Sequence, residues 1–518
     1  MIRVKNLKPV SICKYGNTAI WFFLAVYFFF IPAALVIIYL NDPGLKGHGV
    51  PRFAFKIHRH LAPRYEQWAR QRVALGKAKG LELDAIAATE WPVFGSAFYL
   101  WATESLQHEW EKDKSLSKVA PNVYAKGSIE AAAELIADPG HAYWVRQHWG
   151  DDYLHKENVF YRILLIGGLT SYHKLSGGDK YIPLIKDQVE TLSEELDKSH
   201  YGLLDDYPNQ CYPTDIAAAI AAVKRADSLL GTDHSEFITR SIRGFQGGLL
   251  DPETGLPPYF ASATSGNIDI SRGCSNQWGV TWASEIWPET ADRWFDNFVK
   301  YYWQEKYGFA GFREFLKDSK TSDWHMDVDS GPVVAGFGVS ACSFGIGAAR
   351  ANNRFNNAYQ LGAEVIAASM PLADGTLATA RYLSNAAHAK YVGEASLLFS
   401  FTRMPKNNPV AAGVHLPVIV YWMIGIYIVI GFIMVLTGLS SLRQWNKKLS
   451  KKIYRFEKAQ LVVWAVLIIA GMIFIFETEL FYGLLLILAA QFLPKTFVFS
   501  KHEKLNFSDI KKETAEGL

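Results

Sequence analysis

Carboxylates gather in a few short stretches of this sequence. In Gly202–Val223, GLLDDYPNQCYPTDIAAAIAAV, the acids Asp205, Asp206 and Asp215 bracket a loop of aromatics and prolines, and an Ala-rich segment follows at once. In HMDVDSGP, Asp327 and Asp329 stand two residues apart, and Glu90 precedes a further aromatic run. Paired carboxylates can serve as general acid and general base. Aromatic candidates accompany them: Tyr99, Trp149, Tyr153, Tyr207, Tyr212, Trp278 and Trp324. Hydroxylated ligands stack on such rings and hydrogen-bond to acids. The combination points to acid/base work on a neutral, hydroxyl-rich substrate, with these aromatics, Cys211 and Arg272 as substrate contacts. On a glycan, a carboxyl separation of about 5–5.5 Å would imply retention and one of about 6.5–9.5 Å inversion.

Plainer roles compete. Asp215 and Asp329 each lie ahead of an Ala/Gly-rich stretch, so either can cap a helix or complement its dipole. DVDSG begins like a calcium loop but lacks the glutamate at the twelfth position. In RGCSNQWG, Cys274 has no base close in sequence to make it a nucleophile. The sequence contains no phosphate-binding glycine loop, no dinucleotide fingerprint and no zinc-ligand spacing, so no cofactor and no metal are expected.

Helical periodicity sets the elements that must position these groups. Helices are predicted over 53–78, 84–110, 128–137, 157–175, 180–198, 212–230, 233–247, 276–286, 288–304, 330–351, 355–369 and 387–402. SGGDK, LGTDH and DPETG supply breaks between them. Twelve helices in consecutive pairs suit an all-α (α/α)6 barrel. Its inner helices would be rich in small residues, as TDIAAAIAAV and SGPVVAGFGVSACSFGIGAA are. Acids at the inner N-termini would then share one funnel.

The chain has 518 residues, half of them hydrophobic, and a net charge of only +3. That charge gives no field to draw nucleic acid. Thr18–Leu40 carries no charge over 23 residues and is long enough to cross a bilayer. Ala411–Leu439 reads as a second span, and two short apolar runs, Leu461–Phe476 and Leu480–Pro494, as a third and fourth. Basic residues before the first span, and seven Lys/Arg against one Glu in Arg443–Lys458, place both segments in the cytoplasm. The expected order is a cytoplasmic 1–17, a span 18–40, an outward domain 41–410, a span 411–439, a basic cytoplasmic loop 440–459, two short spans in 460–494 and a cytoplasmic tail 495–518. Of the four cysteines, three lie in the outward domain, so at most one disulfide forms there.

Several stretches resemble the linalool dehydratase/isomerase family, bacterial enzymes that interconvert myrcene, linalool and geraniol. HWGDDYLHKENVFYR with the following YHKLSGGDKY, then GLLDDYPNQCYPTD, GLLDPETG, DVDSGP and FTRMP occur in the family's order, from about residue 85 to 406. The resemblance implies an (α/α)6 barrel. It puts Asp205 and Asp215 where the family has its two active-site cysteines, with Cys211 close to the second. Leu164 falls on the family's histidine and Val93 on its aspartate, with Glu90 a turn away. Tyr99 in SAFY matches the family's tyrosine. Acid/base chemistry survives these changes, now carried by acids. A ring of subunits is permitted by the resemblance, and an envelope-assembly partner is also open.

The leading expectation is a multi-pass protein of a bacterial inner membrane. Its large domain would be periplasmic and act as hydrolase or lyase on a cell-envelope glycan, with Asp205 and Asp215 as the pair and Asp327 or Asp329 as rivals. A dehydratase/isomerase of a lipophilic alcohol, with Tyr99, Glu90, Asp215 and Cys211 acting, is one alternative. A non-catalytic glycan-binding or scaffold protein is the other.

Overall fold

The computed structural model describes residues 9–47, 49–76, 78, 85–317, 323–404, 414–448, 455–476, 482–483 and 485–490. The expected tail 495–518 and the break 477–479 between the last two apolar runs lie outside them, as do parts of the expected start 1–17, span 411–439, loop 440–459 and pair of short spans 460–494. The protein is mostly helical and divides into two units, Met1–Pro32 with Gly425–Leu518, and Ala33–Ile424.

The helices in chain order begin with α1 (Pro9–Ala25), α2 (Ile31–Leu40), α3 (Pro43–Lys46) and α4 (Arg52–Ala74). Next come α5 (Ile86–Thr89), α6 (Trp91–Lys112), α7 (Pro121–Tyr124), α8 (Lys126–Ala137) and α9 (Tyr143–Trp149). Then follow α10 (Val159–Ser176), α11 (Ile182–Lys198), α12 (Pro213–Leu230), α13 (Ser235–Gln246), α14 (Gly273–Ile286) and α15 (Pro288–Tyr302). The strands β1 (Trp303–Lys306), β2 (Phe309–Phe312), β3 (His325–Asp327), β4 (Gly331–Val334) and β5 (Phe337–Gly338) precede α16 (Val339–Ala351). The chain continues through α17 (Phe355–Ala368), α18 (Ala378–Ala386), α19 (Val392–Thr402), α20 (Val418–Lys448) and α21 (Arg455–Phe476).

Two helical stretches, Gly16–Leu40 and Val418–Ser440, are long and apolar enough to cross a membrane. Val462–Phe474 is apolar but shorter. The second long stretch starts at Val418 rather than Ala411. Pro417 explains the late start, because the residue before a proline is disfavoured in the helical region. In the unit of Met1–Pro32 and Gly425–Leu518, the Thr18 hydroxyl donates to the Gly438 carbonyl at 3.3 Å, and Phe30 meets Phe432 edge to face. A hydroxyl in an apolar helix needs such a partner.

In the larger unit, six helices form a chain of neighbours: α6 packs on α10, α10 on α12, α12 on α14, α14 on α16, α16 on α19, and α19 again on α6. Small residues permit the close approach. A Cβ at Gly279 of α14 would come within 2.8 Å of Thr214 on α12, and one at Gly167 of α10 within 2.8 Å of Trp101 on α6. Ala217–Ala222 is buried throughout. Pro213 opens α12, where its missing N–H is no loss, and Gly231 closes it with φ +66 in the left-handed region. Between the six helices lies an aromatic core in which Trp101 and Trp282 meet at 5.0 Å and Phe98 and Phe399 at 4.9 Å.

Towards the C-terminal ends of these helices the filling is ionic. Arg225 reaches Glu104 at 2.6 Å and Glu285 at 3.4 Å, and Lys174 and Arg403 join the same two acids. Arg350 donates to the carbonyls of Gly44 and Gly49. Cations there complement the helix dipoles.

The predicted helix 330–351 is corrected. Residues 331–338 form β4 and β5, and the helix starts only at Val339. Gly331 at φ +62, Pro332 without an N–H, two valines and Gly336 at φ +89 favour a hairpin. β3 pairs antiparallel with β4, placing His325 opposite Val333 and Asp327 opposite Gly331.

Candidate active site

The N-terminal ends of the core helices bring several of the expected site residues together. Tyr207, in the loop before α12, donates its phenol proton to Glu90 Oε2 at the mouth of α6, 2.6 Å away. Trp278, in the second turn of α14, donates from Nε1 to Asp215 Oδ1 in the first turn of α12 at 2.7 Å. The amide of Val159, which opens α10, donates to the Asp205 carbonyl at 3.2 Å. Phe94 of α6 meets Phe160 of α10 at 5.1 Å and Trp278 at 5.5 Å, while Phe344 of α16 meets Phe98 at 5.2 Å. First or second turns from five helices therefore share one region.

Four carboxyls sit in it. Glu90 is 6 % exposed, and burial pushes it up to about 7. The charge of Asp329 adds to the rise, and the Tyr207 hydrogen bond opposes it. Asp215 is also pushed up to about 7 by burial, against the Trp278 hydrogen bond and with help from Asp329. Asp206 is 1 % exposed and is raised well above the usual carboxylate range by burial and by the charge of Asp215. Its Oδ2 accepts the Tyr212 amide at 2.9 Å, and its buried Oδ1 has no hydrogen-bond partner among the described residues. Asp329 accepts the Tyr259 hydroxyl at 2.5 Å and is raised, first by burial and then by Asp327. Among the described residues, no cation forms an ion pair with any of these four acids. Asp329 is nonetheless exposed and Asp215 partly so. Groups that water reaches, yet that protein surrounds closely enough to desolvate, line a recess.

The expected site residues divide into two groups. Tyr207, Tyr212, Trp278, Glu90, Asp215 and Asp329 lie in this constellation, with Tyr212 joined to Tyr259 edge to face at 5.4 Å. Asp329 caps no helix; it sits in the turn from β3 to β4. Nor is Asp215 a cap, since its carboxylate is held by Trp278. The charge that Asp215 imposes on this loop acts on Asp206, which is more deeply buried than Asp205. Asp205 instead accepts the Asn209 amide at 2.7 Å and shapes the turn, while its own amide donates to Glu157 at 2.5 Å.

Asp327 is a structural anion. It pairs with Arg272 at 2.6 Å and His325 at 2.9 Å, accepts the amides of Asp329 and Ser330, and is held well below the usual range despite its burial. Arg272 donates from Nε to Glu314 at 2.8 Å and from Nη2 to Asp327, and lies over the Tyr259 ring at 4.2 Å. These two bonds tie it to the hairpin.

Tyr99 is buried elsewhere, hydrogen-bonded to Ser128 at 2.7 Å and stacked between His58 and Tyr65. Trp149 braces the loop by donating to the Asp206 carbonyl at 3.4 Å. Tyr153 is buried against Tyr161, behind α10. Cys211 is fully buried; its backbone pairs with Ala261, and burial holds its thiol far above the usual range. Trp324 is 67 % exposed beside the hairpin.

Sequence reasoning missed Glu314, Tyr259, Phe160 and Phe344. REFL carries no motif around Glu314, and the partners of the others are far away in sequence. No protein-family model matches this chain, and no curated protein matches it significantly.

Proposed function

We propose that the larger unit is an acid/base enzyme acting on the hydroxyl of an uncharged substrate. The carrying observation is that Glu90 and Asp215, both pushed to about 7 and neither ion-paired among the described residues, belong to one recess with Asp206 and Asp329. Near neutral pH each is present in both protonation states, the condition for donating one proton and accepting another. One protonated carboxyl delivers its proton to the hydroxyl, which departs as water. The ionised partner takes a proton from the neighbouring carbon. Ring faces of Trp278 and Phe94 can stabilise positive charge developing between those steps.

Phe94, Phe160, Phe344 and Trp278 favour a substrate with an apolar body, so a dehydratase or isomerase of a lipophilic alcohol stands ahead of the glycan reading. This agrees with the resemblance to the linalool dehydratase/isomerase family. The hydroxyls of Tyr207, Tyr212 and Tyr259 support a second reading, a glycan hydrolase or lyase. The cyclic order of neighbours from α6 round to α19 supports an (α/α)6 barrel with the recess at its N-terminal end. The two long apolar helices and the charge pattern support a membrane-anchored protein with this unit outside.

The test is turnover by the purified full chain in detergent, offered a panel of terpenoid alcohols and a panel of envelope oligosaccharides. Alkene or isomerised alcohol that disappears with Asp215→Asn supports the first reading. Released oligosaccharide supports the second. Silence on both panels from folded protein would overturn both.

A further inference from the structure

A separate cavity of about 450 Å³ opens beside the end of α11 and the length of α13. It includes none of the acids of the recess. Its floor is apolar: Leu196, Ile220, Phe237 and Leu249 line it, and all four are buried. Two arginines of α13 line its wall, and they differ. Arg240 is neutralised by Asp197 at 2.9 Å and by Glu236. Arg243 is exposed, and its guanidinium makes no ion pair or hydrogen bond among the described residues. His200 and Tyr201 complete the polar edge, and the Tyr201 hydroxyl also has no hydrogen-bond partner among the described residues.

Glycines keep this wall in shape. A Cβ at Gly244 would lie 2.6 Å from the Tyr201 carbonyl, and one at Gly266 would lie 2.7 Å from the Tyr201 ring. Tyr201 is thus seated between two backbones with its hydroxyl left over. The volume falls within the range of small-molecule sites, and the apolar floor is edged by a polar rim that also includes Asp197, Ser199 and Ser241.

We propose that this cavity is a binding site for an amphipathic monoanion, a carboxylate carried on an aliphatic chain. Arg243 takes the carboxylate as a two-pronged, charge-assisted partner, and Tyr201 adds a donor. The chain lies on Leu196, Ile220, Phe237 and Leu249. One uncompensated cation over an apolar floor matches one anionic group on an apolar tail. Inorganic phosphate would lack the tail and a neutral alcohol the charge.

Isothermal titration of the full chain in nanodiscs with octanoate, 1-octanol and inorganic phosphate tests this. Octanoate is expected to bind and the other two to bind at least about tenfold more weakly, the worth of one charge-assisted bond. Arg243→Gln, an exposed change that leaves the unfolding midpoint in place, should weaken octanoate by about tenfold or more. Ser241→Leu, which fills the cavity from α13, should abolish binding without touching the charge. Octanoate binding that survives both substitutions within twofold, equal binding of 1-octanol, or no octanoate binding at all would overturn the proposal.

Discussion

Tyr207 reaches from the loop ahead of α12 to Glu90 at the mouth of α6 and gives it a hydrogen bond 2.6 Å long. This is the only hydrogen bond among the described residues that opposes the burial of the Glu90 carboxyl, so it tunes that acid directly. Tyr207→Phe should raise the Glu90 pKa further above about 7 and shift the basic dependence of any Glu90-driven rate towards higher pH. A pH–rate profile of the variant against the wild type checks this. An unmoved profile would remove Glu90 from the chemistry.

The buried acids make a prediction for stability. Asp215 and Glu90 have folded pKa values raised to about 7, above their unfolded values, so the folded state binds their protons more tightly than the unfolded chain does. Stability from these groups is present at low pH and declines as pH climbs from the unfolded values through about 7. For Asp215 alone the decline is on the order of a few kcal/mol. Asp215→Asn keeps an acceptor for Trp278 and removes the titration. Its unfolding midpoint should exceed that of the wild type at about pH 8 and approach it at about pH 5. A variant less stable at the higher pH would contradict the assignment.

Arg272 binds the hairpin to α14 through Asp327 and Glu314. Arg272→Met should leave two carboxylates without their cation. The cost expected for breaking such a buried network is about 3–5 kcal/mol. Chemical denaturation measures it, and increased proteolysis near residues 325–338 should accompany it.

Tyr99→Phe should cost about 1 kcal/mol by losing the Ser128 hydrogen bond, and turnover should stay within about twofold. Trp282→Ala, by contrast, empties a fully buried site and should cost about 3–5 kcal/mol. Denaturant melts of the two variants set side by side, with activity measured for Tyr99→Phe, separate core from recess.

Much of the helical order was legible because small-residue and apolar periodicity carried it; α12 and α15 begin within one residue of expectation. The hairpin was not. GPVVAGFG is as apolar and glycine-rich as an inner helix, and only Pro332 and the paired valines argued for strands. Adjacent acids were also indistinguishable in sequence. Asp205 and Asp206 differ only in the direction the loop backbone gives them, and that direction depends on bonds to Asn209 and Tyr212. Glu314 became visible only once folding had placed it against Arg272, 42 residues away.

The most direct test of the central claim is infrared titration of the carboxyl groups in the full chain, wild type against Asp215→Asn and Glu90→Gln. Protonated carboxyl bands should persist at about pH 6 and fade by about pH 8, each substitution removing part of that signal. Carboxyls already fully ionised at about pH 5 in the wild type would contradict it.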